Sequence, residues 1–273
     1  MIVNILIATI DDGIDRIEEI LLDPRPDVKY IVSHQVTAEE YRREPAALER
    51  EDVVVEQLKG RGISRNRNNA IAVADGDIAL LADDDVRYRQ EYINALIKTF
   101  NDDSSIDVAC FKIATSGEEE SYKDYAERSY LLNEEVHHYV SSMEIAFRLK
   151  AVKNRNIVFD QRFGLGSKFV SYGEEAVFIH DCIKAGLKVK YVPVYIVEHS
   201  AQSATKIKAD YTAEKNIFKG AYDARRFGWL AFPAAFLGAW QLRAQLKKAK
   251  KPAFQYLRER LRGAWHIYRQ GNY

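Results

Sequence analysis

Two hydrophobic periods alternate along the first 200 residues. The stretch VNILIAT is apolar almost throughout and reads as a buried strand, whereas DRIEEILLD spaces its apolar residues three and four apart, as a helix does, and stops at the turn-forming DPRPD. VKYIVSHQV and DVVVEQL follow as a second and a third strand. After KGRG, the segment ISRNRNNAIAVADG sets Ile63, Ala70, Ile71, Val73 and Ala74 on one helix face, closed by Gly76. DIALLA is then a fourth strand, QEYINALIKTF a helix and DVACFKIA a further strand. This alternation predicts an α/β layered domain with a largely parallel sheet, whose ligand crevice lies at the carboxyl ends of the strands.

Composition agrees with a folded chain of one large domain, or of one domain plus an appendage: 273 residues, 47% hydrophobic and 29% charged. The net charge of zero conceals an asymmetry. From Ala201 onward there are 15 Lys and Arg against 4 Asp and Glu, a net charge of +11 that the first 200 residues offset at −11. Cys110 and Cys182 stand far apart, resemble neither a disulfide framework nor a zinc set, and suit a reducing, cytoplasmic interior as core residues. MIVNILIATIDDG has no basic residue ahead of its apolar run and reads as a first strand rather than a targeting segment. No apolar run reaches the roughly 18 to 20 residues of a membrane span, WLAFPAAFLGAW being the nearest.

Chemistry enters where the fourth strand ends, on Asp83, Asp84 and Asp85. Three adjacent carboxylates repel one another, and a divalent cation offsets that repulsion. In an extended Asp-x-Asp the first and third side chains share a face, so Asp83 and Asp85 can converge on Mg²⁺ or Mn²⁺. A solvated acidic turn ahead of the next helix is the plainer alternative.

Taken in order, ILIAT, GRGISRNRNNAIAVADGDIALLADDDV and FDQRFGLGSKFVSYGEEAVFIHDCIKAGLKVKYVPVYIVEHS resemble the family 2 glycosyltransferases of GT-A fold. Their catalytic domains carry a strand, a basic Arg-Asn segment, an Asp-x-Asp and later a Gly-Glu-Asp. The resemblance runs from about Met1 to Ser200 and implies a GT-A catalytic domain over residues 1–205, followed by a basic, aromatic-rich helical extension over 206–273. It also implies a metal-dependent, inverting hexosyl transfer from a nucleoside-diphosphate sugar to a glycan or lipid-linked glycan, in surface-polysaccharide synthesis, with Mn²⁺ or Mg²⁺ as cofactor.

Residue by residue, the resemblance implies the following roles. Glu175, at the usual aspartate position of the Gly-Glu-Asp segment, is the catalytic base, with Glu174 second. Both also suit the first turn of a helix, where acids are favourable. Asp83, Asp85 and His199 are the metal ligands, His199 being otherwise a hydrogen-bonded strand-end histidine. Thr9, Ser33, Arg65, Asn66, Asp83 and Asp84 contact the nucleotide sugar, with Arg65 and Asn66 facing the site and Arg67 pointing outward. The acid usual after the second strand is replaced by Ser33, His34 and Gln35, which leaves the donor base open. Phe163 to Gly166 suggests a loop that closes over the sugar, or a packed loop without a catalytic role. His34, His137, His138, His180 and His266 carry weaker signals.

The basic tail spaces Trp229, Phe232, Phe236 and Trp240 at about helical intervals among Arg and Lys. This suits an interfacial helix on an anionic membrane surface, peripheral on the cytoplasmic face, or a helical subdomain packed on the acidic domain. No recognition motif accompanies the charge, which disfavours nucleic acid. Two rivals differ in class. A sugar-nucleotide pyrophosphorylase needs a Gly-rich, Arg-containing loop after the first strand, which TIDDGIDR does not match, and an inactive GT-A-fold carbohydrate-binding or assembly protein has no need of Asp83, Asp85 and Glu175.

Overall fold

The apolar run that opens the chain forms β1 (Val3–Ile10), and its alternate residues serve two cores, one on each face of the sheet. Ile5 and Ile7 join Ile93, Leu96 and Phe100 on one side, and Leu6 joins Ala70, Ile71 and Phe178 on the other. Burial on both faces explains why the strand sequence is apolar almost throughout rather than alternating. The computed structural model describes residues 1–115, 122–133, 140–200 and 211–271.

After β1 come β2 (Val28–Val36), β3 (Val53–Lys59), α1 (Ile63–Val73), β4 (Ile78–Asp83) and α2 (Gln90–Asp102). Then follow β5 (Val108–Ala114), β6 (Tyr130–Leu131), β7 (Ile145–Arg148), α3 (Leu149–Asn154), α4 (Glu174–Lys184) and β8 (Val189–Glu198). Among the described residues the sheet has eight strands in the order β3-β2-β1-β4-β7-β5-β8-β6. The first four are mutually parallel, with Ala8 opposite Asp83 and Thr9 opposite His34, so the ends of β1, β2 and β4 open on one edge. The largely parallel α/β sheet matches the expectation. The short β7 enters antiparallel between β4 and β5, which no hydrophobic period announced.

One local expectation changes. The segment after β1 forms a 3₁₀-helix, Asp11–Ile20, rather than an α-helix, and buries Ile14, Ile17 and Ile20. Their spacing of three matches the three residues per turn of a 3₁₀-helix, which stacks them in one row. Cys110 and Cys182 are free and buried, as core residues should be.

The chain divides into two compact units, residues 1–167 with 174–204, and residues 168–173 with 205–273. The boundary expected at residue 205 lies outside the described residues, as do His137 and His138. Lys168–Gly173 belongs to the second unit. There Phe169 stacks on His266, the Ser171 amide donates to Glu214 Oε1 at 3.1 Å, and Tyr172 meets Phe218 with ring centroids 5.0 Å apart.

The second unit also contains α5 (Ala213–Phe227), α6 (Ala231–Gln241), α7 (Arg243–Lys248) and α8 (Ala253–Gln270). The tail is therefore a helical subdomain with its own packing. Helices α5 and α8 meet backbone to backbone at two glycines: a Cβ on Gly220 would lie 1.9 Å from the Arg260 carbonyl oxygen, and one on Gly263 would lie 2.0 Å from that of Ile217. A buried ion pair between Arg260 and Asp223 seals the crossing.

These approaches decide the sign of a simple substitution. Alanine improves helix propensity over glycine by about 1 kcal/mol, but a methyl driven into a backbone carbonyl costs more. Gly263→Ala should therefore destabilise the helical unit by about 2 kcal/mol or more in urea unfolding. An unchanged or raised midpoint would contradict the crossing.

Candidate active site

Helix α1 carries six consecutive polar residues, Ser64 to Asn69, and each has its own partner. Ser64 Oγ donates to the Phe163 carbonyl at 2.6 Å, Arg65 Nη1 to the Lys59 carbonyl at 2.7 Å, and Asn66 Nδ2 to the Thr9 carbonyl at 2.9 Å. Asn68 brackets the Phe159 backbone at 2.8 and 2.7 Å, and Asn69 Nδ2 donates to Ser33 Oγ at 3.0 Å. The helix thus ties the ends of the strands to the segment that precedes α4.

Arg67 is its central residue. The guanidinium is buried at 4% side-chain exposure; Nη1 reaches Glu174 Oε1 at 2.9 Å and Glu175 Oε1 at 3.2 Å, and Nη2 reaches Asp83 Oδ1 at 3.0 Å. Its flat face lies over Phe159, 5.6 Å from the ring centroid. Burial works against its charge, but Asp83, Glu175 and Glu174 outweigh it and raise its pKa above the ordinary arginine value. The expected orientations of the two arginines are therefore reversed: Arg67 points inward, and Arg65 is exposed and held by the carbonyl of Lys59 at the end of β3. The helical period explains this, because Arg67 lies four residues from both Ile63 and Ile71 on the inward face, whereas Arg65 lies off it.

The two glutamates differ. Glu174 is buried, and among the described residues its Oε2 has no hydrogen-bond partner. Gly164, at φ +96°, lies so close that a Cβ there would be 2.9 Å from the Glu174 carboxyl carbon. Glu175 keeps 18% side-chain exposure. Burial first, then the neighbouring Glu174 charge, push its pKa up to about 8 against the opposing pull of Arg67. Of the two, Glu175 is the carboxylate open to an incoming molecule and placed to gain or lose a proton near neutral pH.

The acidic turn divides its labour. Asp83 has one oxygen on Arg67 and accepts a hydrogen bond from buried Ser142 at 3.0 Å with the other. Ser142 opens a short turn whose Glu144 closes a capping box with Ser141 and receives Lys123 at 2.6 Å. Asp84 accepts from Thr9 Oγ1 at 2.5 Å and Arg16 Nη2 at 2.6 Å; burial raises its pKa, which these two partners oppose. Asp85 is 45% exposed on its side chain and meets His199 Nε2 at 3.2 Å. That bond lowers the Asp85 pKa. Burial pulls the His199 pKa down, but Asp85 outweighs it and leaves it raised. Paired backbone hydrogen bonds between Arg87 and Glu198, 2.9 and 2.8 Å, bring His199 to this turn.

Among the described residues no group of three or more His, Cys, Asp and Glu is arranged to hold a metal ion. Asp83 is committed to Arg67 and Ser142. Asp85 with His199 offers one carboxylate and one imidazole, which fits Mn²⁺ with its remaining positions left for phosphate and water.

The other expected nucleotide contacts lie deeper. Thr9, Ser33 and Asn66 are buried, and their side chains are bonded within the strand-end floor. His34 Nε2 meets the Asp11 carbonyl at 2.9 Å, and Gln35 bonds both the amide and the carbonyl of Gly62 at 3.0 Å. Sequence reasoning missed Asp11, whose carboxylate accepts from the Thr37 amide at 2.8 Å just past the end of β2. A carboxylate that follows the first strand thus stands beside the end of the second. Phe163 is core, its loop is tied to α1 through the Leu165 carbonyl and the Ile63 amide at 2.9 Å, and Leu165 is the exposed tip.

The parallel strands of a mixed sheet thus end on an acidic turn that a buried arginine joins to a glutamate pair. The profile of glycosyl transferase family 2 matches residues 35–164. That match likens residues 35–164 to the family 2 glycosyltransferases, and the fold is that of the GT-A class. Among solved structures it is similar to S. aureus TarS 1-349 in complex with UDP, with 17% identity, a TM-score of 0.60, and 100% of this chain and 93% of that one covered. The TarS 1-349 complex with UDP-GlcNAc gives 16%, 0.56, 99% and 74%. A further S. aureus TarS crystal structure gives 17% and 0.55 over 73% of this chain, which spans only 37% of that longer one. No curated protein matches by sequence.

The arginine reversal gives a direct test. Removing one partner of a buried ion network costs about 3 to 5 kcal/mol, whereas an exposed residue without such partners contributes within about 0.5 kcal/mol. Arg67→Met should lower unfolding stability by about 3 kcal/mol or more, and Arg65→Met should leave it nearly unchanged. Equal losses in urea titrations would refute the assignment.

Proposed function

We propose that the chain is an inverting, metal-dependent glycosyltransferase that moves a hexosyl group from a uridine-diphosphate sugar to a hydroxyl of a glycan or lipid-linked glycan, in surface-polysaccharide synthesis. The observation that carries this reading is the Arg67 network: one cation joins Asp83 at the strand ends to Glu175, the partly exposed carboxylate whose pKa is raised to about 8. Support for the donor comes from similar structures determined with UDP and UDP-GlcNAc. Asp11 adds to it, standing beside Thr37 where an acid can accept a hydrogen bond from the uracil ring.

In this mechanism Glu175 accepts the proton of the acceptor hydroxyl as that oxygen attacks the anomeric carbon from the face opposite the departing diphosphate. Arg67 holds Glu175 in place and pairs with Glu174 beside it, so Glu174 is a positioning residue. Asp85 and His199 would hold the divalent cation, which when bound would offset the charge of the leaving diphosphate. Asp83 takes no part as a ligand here and fixes Arg67 instead. Inversion and cation dependence rest on the family resemblance together with the Asp85–His199 pair.

The test is UDP release from UDP-sugars, with and without Mn²⁺ and with candidate glycan acceptors. Glu175→Gln should keep donor affinity yet lose turnover by about 10²-fold or more, because an amide cannot accept the proton. In the wild type, acceptor-dependent rate should rise with pH through about 8, since the base works only when ionised, and level off above. A rate independent of pH across that range, or an active Glu175→Gln beside a dead Glu174→Gln, would remove Glu175 from the role. Pyrophosphate-dependent formation of nucleoside triphosphate would instead indicate a pyrophosphorylase.

A further inference from the structure

Helix α6 is packed inside out. Its buried positions are the small residues Ala231 and Ala235, and Gly238 faces α8, where an added Cβ would sit 3.4 Å from Arg260 Nη1 and 3.5 Å from the Tyr256 hydroxyl. Its large apolar residues face solvent: Phe236 is 56% exposed, Leu237 53% and Trp240 64%, with Trp229 at 63% in the turn just before. Trp229, Pro233, Phe236 and Trp240 recur at steps of four, three and four, which is one side of a helix. A helix stabilised only by its own unit buries its large side chains, because removing them from water is favourable. This one leaves them out. Phe232 turns partly inward, toward Trp265 at 6.3 Å and Tyr268 at 5.5 Å, which brings the 55% exposed Trp265 alongside α6.

Charge identifies what covers the face. Between Asp223 and Glu259 the chain has no acidic residue and eight Lys or Arg. Arg243 lies over Trp240 at 4.9 Å, and with Lys247, Lys248 and Lys250 it is exposed on the segment that continues from α6. Large apolar side chains with cations beside them and no acid suit the boundary between acyl chains and anionic headgroups, where each nearby cation adds to the attraction. A second copy of this basic face would meet like charge instead. Among the described residues no helix is long and apolar enough to cross a membrane, so the contact lies in the plane of the surface.

We infer that the α6 face, Trp229, Phe236, Leu237 and Trp240 flanked by Arg243, Lys247, Lys248 and Lys250, docks on an anionic phospholipid bilayer. This surface is independent of the proposed glycosyl transfer and stands or falls separately from it.

All three tryptophans of the chain lie in this unit at 55% exposure or more, so their fluorescence reads the face directly. The full chain is mixed with vesicles of phosphatidylcholine, alone or with about 30 mol % phosphatidylglycerol, at low salt and at about 0.5 M salt. Sedimentation and a blue shift are expected on the anionic vesicles, with at least about tenfold weaker binding to the neutral ones and at high salt. Phe236→Ser with Leu237→Ser keeps every tryptophan and should weaken binding about tenfold or more without changing the urea midpoint or UDP-sugar turnover. Lys247→Glu with Lys248→Glu should do the same if the apolar variant fails to fold. No sedimentation or shift on anionic vesicles at low salt would overturn the inference. So would a blue shift that appears without lipid as protein concentration rises, which would mean that a second copy covers the face.

Discussion

Arg67 lies within 3.2 Å of three carboxylates that come from two distant parts of the chain, Asp83 at the end of β4 and the pair Glu174 and Glu175 that opens α4. Brought together without it, these acids would repel one another at low dielectric and either take up protons or move apart. With it, they form one network in which a single guanidinium satisfies three partners from a fixed fork. The balance remains acidic, and the excess falls on Glu175, whose carboxyl titrates near 8. The same interaction therefore closes the gap between strand end and helix start and tunes the group proposed to do the chemistry.

Much of this arrangement depends on one polar helix. Each of Ser64, Arg65, Asn66, Asn68 and Asn69 spends its side chain on a backbone or side-chain partner near the ends of the strands or in the segment before α4, which leaves Arg67 no freedom to swing away. Asp83 is held from its other side by Ser142, in a turn supported by buried Glu144 and Lys123. Asp85 and His199 stand apart from this network, paired with each other and more accessible on the carboxylate side. One acidic turn thus serves a structural pair at its start and an open pair at its end.

The strands were legible because continuous apolar runs have one good solution in a sheet covered on both faces. The placing of Asp83 to Asp85 at a strand end followed from the same runs. Less visible was β7, four residues whose antiparallel pairing depends on partners far away in sequence. The spacing of Ile14, Ile17 and Ile20 does carry a 3₁₀ signal, but short apolar spacings of three and four are shared by both helix types. Arg67 could have been found, since it shares a helix face with Ile63, Ala70 and Ile71. A buried arginine is plausible only once its three acids are known to converge, and that is a property of the fold. In the tail, aromatics at helical spacing looked alike whether packed or exposed, and only the inward alanines and glycine of α6 separate the two.

The measurement closest to the central claim is a double-mutant cycle on stability between Arg67→Met and Asp83→Asn. If Arg67 exists to neutralise the converging acids, removing Asp83 as well should recover part of the loss, and the coupling should be about 2 kcal/mol or more, toward the upper end seen for residues sharing one ion network. Losses that add to within about 0.5 kcal/mol would show that the two residues act independently, and the network would not be what holds the site together.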